Sequence, residues 1–438
     1  MRPEAFLLVG LFIALIALRV PISFGLGISS LITLLVIGKD PAVTTQLIFA
    51  GMDKDSLLAI PFFVLAGAIM SQGGMARKLV DLATLVVGWL PGGLAVVNIV
   101  SSMFFGAISG SAVAATSAVG STMIPSMVEK GNDRAYATSV TITASTQGLL
   151  IPPSHNAIIF SLAAGGAASI EALFIAGIVP GIMVGLALIA VAVTIAVKRG
   201  YPRETDVTKG QGLKGVIRIV RDAILPIISP LIIVGGIMFG WFTAIESSVI
   251  AVVWALLVNF IVFAWLYKDT SMKEYPGVAF EAIKVIVMVM WLIGNATAFG
   301  YCLTVLRVPE AVTGGLLAIT ENKYALLLLI NIMLLLLGTI MDMAPLIIII
   351  TPILLPVTRH IGVDPTHFGI IMIANLGLGL CTPPVGSALF VGCAIGKTRI
   401  EKVSRAIWPF YLSMVAVILL ITYVPFFSMA LVNAYLGN

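Results

Sequence analysis

The sequence is short of charge. Only 10% of its 438 residues are Asp, Glu, Lys or Arg, against about a quarter in soluble domains. A soluble globule of this size needs a polar, charged surface, so the shortage excludes a soluble enzyme, a nucleic-acid binder and a disordered chain. Cysteine is scarce too. Cys302, Cys381 and Cys393 lie scattered in apolar sequence without Cys-x-x-Cys or Cys/His spacing, which argues against a disulfide framework or a metal site. There is no GxGxxG dinucleotide loop, no GxxxxGK[ST] phosphate loop and no HExxH motif. No enzymatic constellation is present, and energy for any work must come from an ion gradient or another subunit. Residues 1–20 lack a basic n-region and a small-residue cleavage site, so the first apolar segment is expected to stay as a membrane helix.

What is present is apolar. Hydrophobic residues make up 60% of the chain and mean hydropathy is +1.12. Runs such as 326–337 and 345–356 are almost unbroken, unlike the alternating strands of membrane barrels. The expectation is an all-α polytopic membrane protein. A spanning helix needs about 20 apolar residues, and candidates lie near 4–20, 22–38, 57–74, 134–166 and 171–197, with a Gly/Ser/Thr-rich segment at 84–128. The long polar stretch 198–222 reads as a linker. Beyond it come 223–241, 244–267, 279–300, 311–357, 365–396 and 406–430.

The pattern is written twice. Gly106-Ala107-Ile108 matches Gly338-Thr339-Ile340, and the next double proline follows 46 residues after Gly106 and 45 after Gly338. Pro153 to Gly165 and Pro384 to Gly396 are both 12; Ile170-Glu171 matches Ile400-Glu401, and Pro180 matches Pro409. The landmarks predict two repeats, 1–197 and 223–438, each with a re-entrant helical hairpin (about 84–128 and 324–357) and a broken helix (about 134–166 and 365–396). Five crossings per repeat make the two inverted across the membrane. With the linker in the cytoplasm, Arg2, Lys39, Lys54, Arg307, Lys323 and Arg359 fall outside and the other 19 of the 25 basic residues inside. That bias fits the positive-inside rule and puts both termini on the outer face.

Paired interruptions in inverted repeats point to a transport site. Backbone is left unpaired in lipid only where protein or water satisfies it. At a break, the carbonyl end of one half-helix suits Na⁺ and the amide end of the next suits a carboxylate. In the first half the breaks are Gly106–Ser111 and the stretch from Ser145, Thr146, Gln147 and Gly148 to Pro152, Pro153, Ser154, His155 and Asn156. Gly permits a sharp reversal, Ser109 and Ser111 cap the returning half-helix or offer oxygens to a hard cation, and Pro suits a first helical turn. In the second half the breaks are Gly338–Ala344 and the stretch from Asn375, Gly377 and Gly379 to Thr382, Pro383, Pro384, Val385, Gly386 and Ser387. With fewer hydroxyls, a cation there leans on carbonyls. Small residues elsewhere, such as Gly92-Gly93, Ser101-Ser102 and 112–121, read more simply as helix packing. Asp342, at the second tip, is an ionisable group within the membrane; it ligates a cation, caps its helix or faces a vestibule. His155 either donates to an anionic substrate or is a satisfied polar residue.

Gly-Ala-Ile-Ser-Gly-Ser-Ala-Val-Ala (106–114), Ile-Pro-Pro-Ser-His-Asn (151–156), Thr-Pro-Ile-Leu-Leu-Pro (351–356), Gly-Val-Asp-Pro-Thr-His-Phe-Gly (362–369) and Cys-Thr-Pro-Pro-Val-Gly (381–386) resemble the large membrane subunit of tripartite ATP-independent periplasmic (TRAP) transporters. The likeness runs over essentially the whole chain. It implies a Na⁺-coupled importer of an organic anion, such as a C4-dicarboxylate or sialic acid, in the bacterial inner membrane. It also implies an elevator-type fold, a small four-helix membrane partner subunit, not fused here, and a soluble periplasmic binding protein. Na⁺ is the coupling ion and no other cofactor is implied. By that resemblance a first Na⁺ site maps to Ser109, Gly110, Ser111, Ser145, Gln147, Gly148 and Pro152. A second maps to Gly338, Thr339, Met341, Asp342, Gly377, Gly379, Thr382 and Val385. The carboxylate is expected between the tips, near Ser111, Pro153, Ser154, His155, Asn156, Asp342, Pro384, Gly386 and Ser387. A carrier or exchanger of related architecture that works without a binding protein is the alternative.

Overall fold

A computed structural model describes residues 3–72, 75–203, 212–260, 275–384 and 386–437, and among these it contains helices and no strand. The first half comprises α1 (Pro3–Ala17), α2 (Ile22–Val36), α3 (Ala42–Met52), α4 (Ala59–Gln72), α5 (Met75–Val87), α6 (Gly93–Ser109), α7 (Ala112–Glu129), α8 (Arg134–Gln147), α9 (His155–Ala163) and α10 (Ile170–Arg199). The second comprises α11 (Gly212–Met238), α12 (Ala244–Leu257), α13 (Tyr275–Val305), α14 (Val308–Ile319), α15 (Lys323–Gly338), α16 (Met343–His360), α17 (Pro365–Gly379), α18 (Ser387–Ile395), α19 (Ile400–Ala406), α20 (Trp408–Tyr423) and α21 (Phe426–Leu436).

Several boundaries differ from the sequence expectation, each for a local reason. Residues 84–87 close the amphipathic helix α5, and the first hairpin starts only at Gly93, after Pro91 and a left-handed Gly92 (φ 68°). The polar stretch is shorter than 198–222, because α10 runs on to Arg199 and α11 already begins at Gly212, with Lys214 and Arg218 on its exposed face. The segment 406–430 divides into α19, α20 and α21, with Pro409 opening α20 and Pro425 opening α21. Residues 261–267 of the expected helix 244–267 lie outside the described residues. Among the described residues, α10, α13 from Pro276 and α16 are long and apolar enough to cross a membrane by themselves, while α19 and α20, bent by 55°, qualify as a pair. The other apolar helices are shorter because turns, hairpin tips and breaks interrupt them.

Two packing groups surround the breaks. α13 packs along α2, α3 and α4, with α12 against α4 and α11 against α12. Glycines make that close approach possible: a Cβ on Gly294 of α13 would lie 3.0 Å from the Ile48 carbonyl of α3. The second group interleaves the two halves: α18 packs on α7, α16 on α9, and α10 on α17, α20 and α21. Buried amides tie each hairpin to its broken helix. Asn98 of α6 donates to Thr141 of α8 (2.6 Å), and Asn375 of α17 donates to Asn331 of α15 (2.6 Å), whose oxygen also accepts from Thr422 (3.2 Å). Such bonds between membrane helices contribute about 0.6 kcal/mol each on average, and up to ~1.7. Beyond the C-terminus of α10, the Tyr201 hydroxyl accepts from the Asp133 amide and from Arg199 (both 3.2 Å), and its ring packs on Tyr136. Asp222 of α11, 3% exposed, sits 3.5 Å from Lys78 and 3.0 Å from Arg221, which fastens the amphipathic α5 to α11.

Candidate functional site

The first tip is a two-residue reversal. Gly110 adopts φ 61° and its amide donates to the Gly106 carbonyl (2.8 Å), which closes α6. Ser111 is extended and its Oγ accepts from the Ala114 amide (3.3 Å), which opens α7. Ser109 lies beside it, 3.4 Å from the Ser111 amide. The second tip is wider: α15 ends at Gly338, and Asp342 holds the position before α16 without a side-chain cap bond. Asp342 is exposed.

Each hairpin meets its own broken helix glycine against glycine. A Cβ on Gly106 would collide with the Gly148 Cα, and one on Gly379 would lie 2.6 Å from the Gly338 Cα. The two breaks also match: Pro152–Pro153 and Pro383–Pro384 are both cis, and each leads into a nine-residue half-helix, α9 or α18. The breaks face each other, since a Cβ on Gly377 would touch Leu149 at 3.3 Å.

A cavity of about 70 Å³ lies where these pieces converge. Its wall includes Ser111, His155, Asn156, Asp342 and Ser387, together with apolar Leu149 and Leu380. It also includes the first residues of α7, α9, α16 and α18. Four helix N-termini thus meet at one small polar space. Each leaves unpaired amides and the positive end of a helix dipole, which together make a strong attractor for a small anion.

Of the residues expected at the carboxylate, Ser111, His155, Asn156, Asp342 and Ser387 are on this wall. Pro153, Ser154, Pro384 and Gly386 are not among its lining residues and form the adjoining breaks. The Ser154 and Ser387 hydroxyls are buried without a hydrogen-bond partner. Pro153 does reach the tip, its carbonyl 3.0 Å from where a Gly110 Cβ would be.

The residues expected at the first cation site separate into two sets. Ser109, Gly110, Ser111, Gly148 and Pro152 belong to the tip and the break that face each other. The Gln147 side chain points elsewhere: it donates to the Ile99 carbonyl (2.7 Å), about three turns before the tip, and its own oxygen is buried against Gly185 without a donor. The Ser145 hydroxyl donates to Ile142 (2.7 Å) and accepts from Thr116 (2.7 Å), so its oxygen is already engaged. Thr116 is a partner that its place in a small-residue helix did not reveal.

At the second expected site, Gly338 and Gly379 touch through their backbones. Thr339 and Thr382 donate their hydroxyls to Leu336 and Leu378 of their own helices. Met341 lies in the tip, Gly377 faces the first broken helix, and Val385 lies outside the described residues. The Tyr411 hydroxyl of α20 donates to the Cys381 carbonyl at the start of the break. Sequence reading passed over Tyr411, since nothing local marks a tyrosine 30 residues away as a partner.

An apolar helical chain with two reversing hairpins, two broken helices and four helix ends on one small polar cavity has the build of a membrane transporter. The comparisons with known proteins agree. Residues 9–427 match the model of the tripartite ATP-independent periplasmic transporter, DctM component, and the chain belongs to that family of transporter permeases. It is 43% identical to the uncharacterized protein YgiK of Salmonella typhimurium, covering 97% of this chain and 96% of that one. It is 34% identical to the C4-dicarboxylate TRAP transporter large permease protein DctM of Rhodobacter capsulatus, covering 98% and 99%. In three dimensions it resembles the crystal structure of the Alcanivorax borkumensis YdaH transporter, with a TM-score of 0.58 over 86% of both chains at 14% identity, a likeness of fold alone.

Proposed function

We propose that this chain is the large membrane permease of a three-component importer in the bacterial inner membrane. It takes up a small organic carboxylate, coupled to Na⁺, in partnership with a small four-helix membrane subunit and a periplasmic binding protein that delivers the substrate. The observation that carries this reading is the convergence of α7, α9, α16 and α18 by their N-termini on the 70 Å³ cavity. Carboxylate oxygens there accept from backbone amides and from Ser111 and Asn156, while Na⁺ is held by carbonyls at the C-terminal ends of α8 and α17, near the two glycine contacts. Asp342 shares the wall, so it is matched either by a bound cation or by a hydroxyl donor on the substrate; a second bare carboxylate beside it is disfavoured. Substrate and ion together stitch each tip to its break, and the loaded group of helices α6–α10 and α15–α21 moves as an elevator along α2–α4 and α11–α13. The Rhodobacter relative, named for C4-dicarboxylates, supports the carboxylate class. Inverted halves and outward-facing termini complete the reading, supported by the basic residues concentrated on the linker side.

The test is uptake by proteoliposomes carrying both membrane subunits, with the soluble protein outside. Uptake should require an inward Na⁺ gradient and the binding protein. Uptake driven equally by a proton gradient in Na⁺-free buffer would overturn the coupling ion, and full uptake without the binding protein would favour an independent carrier.

Ser111→Ala removes both a cavity hydroxyl and a helix cap. Losing the cap costs about 1 kcal/mol, so folded yield falls modestly while the half-saturating Na⁺ concentration rises several-fold. Ser109→Ala, whose hydroxyl makes only contacts of 3.4 Å, should have the smaller effect. An unchanged Na⁺ curve in both variants, read by radiolabelled uptake, removes these hydroxyls from the site.

A further inference from the structure

A second cavity, of about 270 Å³, lies between the two packing groups. One wall is α13, through Thr297, Gly300, Tyr301 and Thr304; the opposite wall is α9 and α16, through residues such as Ile159 and Ile348. Those two helices are among the four whose first residues line the small cavity. Residues 159–163 and 348–352 follow one to two turns later, roughly 6–13 Å along each axis at 1.5 Å per residue. The two spaces are therefore stacked on the same pair of helices.

Lys54 is the one charged residue on this wall among the described residues, and it is exposed. Its sequence neighbours Asp53 and Asp55 do not line the cavity, and no ion pair to Lys54 occurs among the described residues. Gly300 makes room: a Cβ built there meets nothing within 4 Å. The cavity is edged by the hydroxyl-bearing Thr297, Tyr301 and Thr304 and, among the described residues, carries at its wall one cation without an ion pair, Lys54.

We infer that this cavity is an antechamber for the organic anion, a holding site on the outer side of the cavity formed by the helix ends. Lys54 attracts the anion to its mouth, and Thr297, Tyr301 and Thr304 line the passage along α13. The inference rests on the proposed transport function for its direction, since Lys54 falls on the outer face in that orientation.

The experiment reads charge-selective access and needs no uptake. Gly300→Cys, in the full-length chain with its membrane partner in right-side-out vesicles, places a thiol in the open space. The parent chain, whose Cys302, Cys381 and Cys393 are buried, gives the background. An anionic methanethiosulfonate reagent should modify Cys at 300 roughly three- to tenfold faster than a cationic one of similar size, a bias of the order that local charge gives to encounter rates. Adding Lys54→Glu should reverse the preference, and Lys54→Arg should preserve it. Equal rates that Lys54→Glu leaves unchanged overturn the proposal. So does labelling only by a neutral, membrane-soluble thiol reagent, which identifies a lipid-filled groove. If uptake proves independent of Na⁺ while the charge-selective labelling holds, the coupling fails and the antechamber stands.

Discussion

Valine in place of Gly148 is expected to reduce uptake by more than about tenfold while the chain still inserts in the membrane. Gly148 and Gly106 meet backbone to backbone, so a side chain on either has no flexible neighbour to push aside. The helices α6 and α8 must separate, and overpacking of this kind costs about 1–3 kcal/mol. The larger loss is geometric. The tip at Ser109–Ser111 is moved away from the break that it faces, and polar groups that must converge within tenths of an ångström no longer do so. Gly379→Val should repeat the effect in the second half, where the opposing atoms are the Gly338 Cα and carbonyl. Gly10→Ala is the control, because a Cβ there touches nothing within 4 Å; its uptake and yield should stay at parent levels. Size-exclusion yield and initial uptake rates measure both parts, and parent-level transport in Gly148→Val would refute the idea that this contact sets the site.

Phenylalanine in place of Tyr411 should act on the ion and leave the fold largely intact. The ring stays packed against Trp408, and what disappears is the hydroxyl that donates to the Cys381 carbonyl. A hydrogen bond of this type contributes about 0.5–1.5 kcal/mol net, so the carbonyl end of α17 loosens without unfolding. If those carbonyls hold Na⁺, the half-saturating Na⁺ concentration rises roughly fivefold, the equivalent of ~1 kcal/mol. The Na⁺ dependence of initial uptake, at saturating loaded binding protein, reads it directly. A superimposable Na⁺ curve would reduce Tyr411 to a packing role.

The parts of this fold that show in the sequence are those written in rare residues. Gly106, Gly338 and the two double prolines stand out against an apolar background, and they locate the tips and breaks to within a few residues. The first hairpin's start does not show, because α5 joins it with only Pro91 and Gly92 between, and 84–87 are as apolar as the hairpin itself. α3 is hidden because it is short, 11 residues, and includes the polar Thr44, Thr45 and Gln46. Within the candidate site, backbone features were legible and side-chain directions were not. Gln147 ends α8 beside the first break but turns toward Ile99. Tyr411, Thr116 and Lys54 gain their places from helices brought together only by tertiary packing, which no local pattern records.

The division between the two kinds of cavity wall bears on how such a chain diversifies. The tip-to-break contacts are made by main chain, and almost any point mutation leaves a main-chain carbonyl in place. The wall proposed to face the cargo adds to its backbone amides the side chains of Ser111, His155, Asn156, Asp342 and Ser387, each replaceable by point mutation. Under the proposed coupling, the power source is therefore exposed to drift chiefly at the glycines that let the main chains meet and at supports such as Tyr411, while the cargo is open to change at each wall side chain. A lineage built this way can change its diet at side chains such as Asn156 and Ser387 while the glycine contacts stay fixed.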